Sequence, residues 1–236
     1  MSNKFTTISF KINNLDIFHT RISILNALKK TLPKFEGVFL DVGCGKMPYK
    51  SLILENEKII DYIGLDIESA IDYGGEKADI FWTKDGKIPL KDKSIACAMA
   101  TEVLEHCPNP QEILGEVARV LQDDAYFFMT VPFIWNLHEV PYDEHRYTPF
   151  SLKRYLENSN FEIVEMKGFG GWNSFLGLAL SLWARRKIKN QVAKLFFSIL
   201  FCPFIWLLYK FDEPVSDFKE GTMITGLYVV SKKRKS

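Results

Sequence analysis

A chain of 236 residues, 47% hydrophobic and 25% charged, holds enough apolar mass for one α/β domain with an insertion. Its net charge of +1 excludes bulk attraction to nucleic acid, and the terminal KKRK is a short basic tail that solvation explains. The four cysteines, Cys44, Cys97, Cys107 and Cys202, show neither C-x-x-C spacing nor a disulfide-dense pattern, which fits a reducing cytoplasm; the start MSNKFTTISFK lacks an apolar core of signal-peptide length, so no export is expected.

In chain order, Phe18, Ile22, Leu25, Leu28 and Leu32 recur at helical spacing and predict an amphipathic helical cover within residues 1–36. Val38, Phe39, Leu40 and Val42 then read as a buried strand, and Gly43-Cys44-Gly45 as the turn after it. A dinucleotide fingerprint would need a third glycine where Pro48 stands, so a ligand without a pyrophosphate, such as a nucleoside, fits better. A short helix within 49–57, a β-rich run IIDYIGLDI ending near Asp66, a shorter strand ADIFW and the apolar run SIACAMATEVLEH follow. Asn109-Pro110-Gln111-Glu112 carries N-cap, N1 proline and N3 glutamate signals, and Ile113, Leu114, Val117, Val120 and Leu121 line one helical face. After a turn at Gln122-Asp123-Asp124, AYFFMTVPF is the next strand; Thr148-Pro149 opens a helix, and FEIVEMKGF and MITGLYVVSKK are the last two strands.

Alternating strands and helices predict a largely parallel, doubly wound Rossmann-like sheet with helices on both faces. Ligands of such sheets bind outside the carboxyl ends of the strands. The candidate residues at those ends are Asp41 to Gly45, Asp66, Asp79-Ile80, Thr101-Glu102 and the segment from Pro132 onward.

LDVGCGKMPY, the LDI about 20 residues beyond the glycines, ADI, ATEVLEHCPNP and ARVLQDDAYFFMTVPF resemble, in that order, the motifs of class I S-adenosylmethionine-dependent methyltransferases of the type 11 kind. The resemblance runs from about Val38 to Lys232 and implies one seven-stranded methyltransferase domain over 1–236, with S-adenosyl-L-methionine as cofactor. It implies that Gly43, Cys44 and Gly45 pass beside the methionine part of the cofactor and that Asp66, with Ile67, takes the ribose hydroxyls. Asp41 would orient the loop and the cofactor's amino-acid end, Asp79 and Ile80 would read the adenine edge, and Thr101 and Glu102 would lie near the cofactor. The residue chemistry agrees at Asp66, because a ribose diol wants a bidentate acceptor and a carboxylate offers only acceptors.

The densest polar cluster is NLHEVPYDEHRYTPF, residues 136–150, directly after the fifth strand. It resembles a subgroup of these enzymes linked to glycan and cell-envelope pathways, through His138, Glu139, Pro141, Asp143, Arg146, Tyr147 and Thr148. Methyl transfer to an alcohol must remove a proton, and a histidine with pKa near ~6.5 can accept it. His138 is the first candidate base, oriented by Asp143, and His145 the alternative. Arg146 either pairs with Asp143 or holds a substrate carboxylate or phosphate. Glu102, Glu105 and His106 form a smaller cluster in which His106 reads as structural. No zinc-binding spacing, nucleophile elbow or P-loop is present, so no metal is expected.

Residues 168–220 form an apolar insertion between the last two strands, in which 168–184 and 195–209 flank the basic ARRKIKNQVAK. The second run spans only ~22 Å as a helix against ~30 Å for a bilayer core, and Pro203 interrupts it, so peripheral membrane contact through 168–210 is expected rather than a crossing, the alternatives being a lid that roofs the active site or a dimer contact. The reading is a cytoplasmic methyltransferase, peripheral on the inner face of the membrane, that methylates oxygen on a glycan or lipid-linked envelope precursor and binds no nucleic acid. A quinone-like or other apolar acceptor is the second reading, and a catalytically inactive cofactor-binding module the third.

Overall fold

Four apolar side chains on two adjacent strands, Phe39, Leu40, Val42 and Leu65, are almost wholly buried, because the strands carrying them are covered on both faces. The computed structural model describes residues 5–68 and 77–235, so the ends of the domain at 1–4 and 236 lie outside the described residues. The strands are β1 (Gly37–Val42), β2 (Ile59–Asp66), β3 (Ile80–Phe81), β4 (Ile95–Thr101), β5 (Leu121–Pro132), β6 (Phe161–Gly168) and β7 (Gly226–Lys233). They form one seven-stranded sheet in the order β3-β2-β1-β4-β5-β7-β6. All pairs are parallel except those of β7, which runs antiparallel to β5 and β6. The expected doubly wound sheet is therefore present, with the order reversing between β1 and β4.

Period-two alternation sends successive residues to opposite faces. Leu40, Val42, Ala98, Phe127, Met129, Leu227 and Val229 pack toward α3 (Pro110–Val120) and α4 (Pro149–Asn158). Phe39, Cys97, Met99, Phe128, Tyr228 and Val230 pack toward α1 (Leu15–Thr31) and α2 (Lys50–Leu54). Large side chains buried this fully contribute ~1.5–3 kcal/mol each. On α1 the buried face is carried by Leu15, His19, Ile24, Leu25 and Leu28, while Phe18, Ile22 and Leu32 are only partly covered.

Three local readings change. Asn109 is the N-cap of α3 and Pro110 its first residue, as expected, but the helix starts through the Asn109 backbone carbonyl, which accepts from Glu112 N–H at 3.1 Å, and the side chain makes no cap bond. Gln122-Asp123-Asp124 is not a turn before β5; it lies within the strand, where the register slips between Ile95 and Cys97 of β4 and Asp124 takes a left-handed φ of +63°. Asp123 is held there by Lys93 at 2.8 Å and Lys233 at 3.4 Å.

Nor does Pro203 interrupt the insertion. α5 (Trp172–Leu182), a π-helical turn at Trp183–Lys187 and α6 (Gln191–Lys210) form an antiparallel hairpin, and α6 runs through Pro203 without a break. At 20 residues α6 spans ~30 Å, and among the described residues it is the one helix long and apolar enough to cross a membrane. Gly177 lets the ring of Tyr209 approach, since a Cβ there would stand 2.7 Å from it, and Tyr209 stacks on His19 of α1 at 4.8 Å. Asp212 Oδ2 accepts the N–H groups of Gly171 and Ser174 at 2.7 and 2.6 Å, closing the base of the hairpin. At its tip, Arg186 Nε meets Asp16 Oδ2 at 2.7 Å and Arg185 Nη2 donates to Asn13 O at 2.9 Å. Both ends of the hairpin are thus pinned to the same domain, and it lies along α1 instead of projecting away from it.

Candidate functional site

At the carboxyl end of β1 the chain turns on two glycines with positive φ, Gly43 at +67° and Gly45 at +51°. Gly43 passes so close to β4's exit that an added Cβ would lie 2.5 Å from Val103, whereas nothing stands within 4 Å of one at Gly45. The N–H groups of Gly43 and Cys44 both donate to Leu65 O, at 2.8 and 3.0 Å, and Gly45 N–H donates to Asp66 Oδ2 at 2.8 Å. All three amides are engaged by the end of β2, so the loop does not form the nest of N–H groups that a pyrophosphate needs.

Carboxylates surround this loop instead. Asp66 Oδ1 accepts its neighbour Ile67 N–H at 2.8 Å, and each oxygen keeps a lone pair for a further donor. Asp79 Oδ2 accepts Gly64 N–H at 2.7 Å, and Ile80 continues as β3 beside Leu65. Asp41 is 2% exposed and takes a short hydrogen bond from the Tyr62 hydroxyl. Burial pushes its pKa up to about 7, against the opposing effect of that bond. An open position at Gly45, a carboxylate able to take a diol and a buried acid that a cationic partner would stabilise form a donor set that fits S-adenosylmethionine.

Across the switch point, Thr101 ends β4 opposite Thr130, and Glu102 adopts a left-handed φ of +55°. Its carboxylate Oε1 accepts the Thr130 hydroxyl at 2.8 Å, and burial raises its pKa to about 7. A non-glycine residue held in this conformation is backbone strain of the kind found at functional sites. The 3-10 turn Leu104–His106 follows. Glu105 is 0% exposed and neither carboxylate oxygen has a hydrogen-bond partner; burial first, then the Glu102 charge, push its pKa well up.

The segment after β5 folds back over this turn: the N–H groups of Glu144 and His145 donate to Glu105 O at 2.8 and 3.1 Å, and the Tyr147 hydroxyl donates to Leu104 O at 2.8 Å. Asp143, almost wholly buried at its side chain, is held in a fork by Arg146, Nη1 to Oδ1 at 2.6 Å and Nη2 to Oδ2 at 2.8 Å. That pairing, strengthened by the His138 N–H bond, holds its pKa far below the carboxylate range. His138 Nδ1 lies 3.3 Å from Asp143 Oδ2, and burial lowers its pKa although the carboxylate raises it. Arg146 thus faces Asp143, the ion-pair alternative of the two open to it. His145 sits apart, its ring against Tyr147 and its Nε2 buried without a hydrogen-bond partner. Thr148 caps α4, accepting Ser151 N–H at 3.2 Å.

His106, read from the sequence as structural, meets His138 edge to face at 4.8 Å and, with Glu105 and His138, forms a group able to hold a metal ion, the ligand atoms within 4.8 Å of one another. Spacing along the chain gave no signal for it, because the third member lies on a separate segment. A surface depression of 480 Å³ lined by Thr83, Ile88 and Arg119 lies at the other end of the sheet, among structural ion pairs of Arg119 with Glu116 and Asp92.

A family model described as a methyltransferase domain matches residues 17–166. No curated protein matches the chain. Among solved structures, a SAM-dependent methyltransferase from Archaeoglobus fulgidus superposes with a TM-score of 0.56 at 20% identity, covering 91% of this chain and 94% of its own. The [4+2]-cyclase SpnF superposes at 0.58 with 15% identity, covering 93% and 84%, and the YcgJ protein of Bacillus subtilis at 0.51 with 14%, covering 89% and 99%. These similarities show a shared fold, which by itself carries more than one chemistry. The family match takes in well over half of the chain, from α1 through the glycine loop to the polar segment and β6, and the chain therefore belongs to the class I S-adenosylmethionine-dependent methyltransferases, with S-adenosylmethionine as its cofactor.

Proposed function

We propose that this enzyme transfers a methyl group to a hydroxyl oxygen of a glycan or lipid-linked cell-envelope precursor presented at the inner face of a membrane. The observation that carries the reading is the join between the hairpin and the polar loop: Arg186, at the hairpin tip, lies over the ring of Trp135 at 5.7 Å, three residues before His138. On the outer side of α6, Val192, Leu195, Phe196, Ile199, Leu200 and Phe204 recur at helical spacing and are exposed. An apolar stripe of this kind marks an interaction surface. Pinned along the domain, α6 suits an interfacial position, its stripe in the headgroup region and the polar loop above it.

In this reading Asp66 takes the ribose hydroxyls, the turn at Gly43, Cys44 and Gly45 passes beside the methionine part, Asp79 and Ile80 flank the adenine, and Asp41 balances the cationic amino-acid end. The cofactor, when bound, supplies an electrophilic methyl; the protein supplies position and removes a proton. Hydroxyl activation depends on His138. Asp143 fixes its Nδ1 as the N–H, which leaves a lone pair on Nε2, and Arg146 holds Asp143 in place. The lowered pKa keeps this imidazole neutral at pH 7.

The test is transfer from methyl-labelled cofactor into membrane extracts, followed by mass identification of the product. A labelled polar head group, with turnover reduced by ~10²-fold or more in His138→Ala at unchanged cofactor affinity, supports the reading. Label in a quinone-like apolar product would move the acceptor to that class, and loss of label transfer in every extract, with intact cofactor binding, would leave only a binding module.

A further inference from the structure

We propose that Glu105, His106 and His138 bind one divalent first-row transition-metal ion beside the cofactor end of β4. The three side chains offer ligand atoms within 4.8 Å of one another, drawn from the turn after β4 and from the polar loop. The hydrogen bonds around them select the required tautomers. His106 Nδ1 lies 3.0 Å from the Tyr142 carbonyl, which can only accept, so Nδ1 carries the proton and Nε2 the lone pair. The Asp143 carboxylate does the same for His138, giving the carboxylate–histidine pairing that surrounds metal-binding imidazoles.

Glu105 supplies the independent observation. A wholly buried carboxylate whose two oxygens lack hydrogen-bond donors is costly unless a positive charge compensates it. Arg146 acts on Glu105 as a charge, but its guanidinium is forked onto Asp143 and gives Glu105 no hydrogen bond, and His106 Nε2 is 3.9 Å from Glu105 Oε1 and 3.7 Å from Glu139 Oε2, both too long. A cation among these atoms would be met by two imidazole nitrogens and a carboxylate, with Glu139 Oε2 at the rim, 3.7 Å from His106 Nε2. That mixture suits zinc, manganese, iron or cobalt better than magnesium or calcium, which prefer all-oxygen shells. Donors bound at ~2.1 Å stand ~3–3.4 Å apart, so loading closes the group by about 1–2 Å. Rotation of the part-exposed His106 and His138 rings can provide that movement.

The catalytic consequence rests on the hydroxyl-methylation reading; the binding does not. With an ion held by Glu105, His106 and His138, its Lewis acidity would lower the pKa of an acceptor hydroxyl, so that the proton would pass to water instead of to His138 while the methyl moves from sulfur to that oxygen and S-adenosylhomocysteine leaves. His138 then acts through the ion, its Nε2 lone pair being a ligand.

The experiment uses the full-length protein, stripped with chelator and titrated with Zn²⁺, Mn²⁺ or Co²⁺ by calorimetry, with metal content by mass spectrometry and the visible spectrum of the Co²⁺ form. One ion per chain is expected, with affinity lower by at least 10-fold in Glu105→Gln and in His138→Ala, and by 10–100-fold in Asp143→Asn. The ion should raise the melting temperature of the parent and not of Glu105→Gln, whose amide keeps the shape of the side chain and offers no carboxylate to the ion. No binding at submillimolar metal, or equal binding by parent and Glu105→Gln, overturns the site. Stoichiometric binding together with methylation of nitrogen or carbon would retain the site and overturn the hydroxyl reading. Undiminished oxygen methylation by a chelated, metal-free enzyme would retain the hydroxyl reading with His138 as base and overturn the catalytic use of the ion.

Discussion

Replacing Asp66 by alanine separates its two jobs. One carboxylate oxygen accepts Gly45 N–H and the other Ile67 N–H, each at 2.8 Å, so the side chain ties the glycine turn to β2 while each oxygen keeps a lone pair for the proposed ribose hydroxyls. Hydrogen bonds to a charged group are worth ~1.5–3 kcal/mol each. Asp66 is partly exposed and water replaces some of that, so for the ribose pair we expect a loss of ~2–3 kcal/mol, roughly 30- to 150-fold in cofactor affinity. The turn itself should lose about 1 kcal/mol at most, because Gly45 has open space beside it through which water can reach its N–H. Calorimetric titration with S-adenosylmethionine and S-adenosylhomocysteine reads the first quantity, and thermal melting without ligand reads the second. Asp66→Asn should keep the melting temperature, since its amide oxygen can still accept Gly45 N–H, and lose most of the affinity. A parent-like affinity in Asp66→Ala, whatever its melting temperature, would show that Asp66 only forms the turn.

The two glycines should fail differently. Gly43→Ala, whose Cβ would meet Val103 at 2.5 Å, should unfold at clearly lower denaturant, whereas Gly45→Ala should cost only ~1–2 kcal/mol for its left-handed backbone and lose cofactor affinity by 10-fold or more. Melting and calorimetry on both variants check the contrast. For Asp41 the folded pKa, about 7, lies above the unfolded value near 3.9, so the native state binds the extra proton and the ligand-free protein loses stability as pH rises from about 4 to 7. Asp41→Asn should remove that decline, adding at most ~4 kcal/mol above pH 7 and little at pH 4, while weakening cofactor binding; parallel stability–pH curves for parent and variant would refute the assignment. If the hairpin seats on a membrane as proposed, Arg185 and Arg186 are engaged by Asn13 and by Asp16 of α1, so Lys187 and Lys189 should carry the attraction to anionic lipid, ~1 kcal/mol each. Flotation with anionic vesicles should fall in Lys187→Gln/Lys189→Gln and at high salt, and a parent protein that ignores vesicles at low salt would show the hairpin to be a lid.

The order of strands and helices, the glycine turn and the acids at strand ends were legible in the sequence because each depends on neighbours within a few residues: alternation on a strand, positive φ at a turn, a carboxylate one position past a β run. The pairing of Asp143 with Arg146 was legible as one of two alternatives, since i,i+3 spacing permits it and only the fold over Glu105 leaves Arg146 turned toward Asp143. Tertiary packing alone decided the rest. Pro203 reads as a break because it removes one helical hydrogen bond, yet α6 continues through it, with α5 packed along its length and Ile205 buried just beyond. His19 gives no sequence signal, and it is buried against Thr225 and Tyr209, residues brought to it from the far end of the chain. The meeting of Glu105 and His106 with His138 has the same origin. Their chain separation exceeds any local spacing rule, and the burial that leaves the Glu105 carboxylate without a donor exists only once the loop after β5 has closed over the turn after β4.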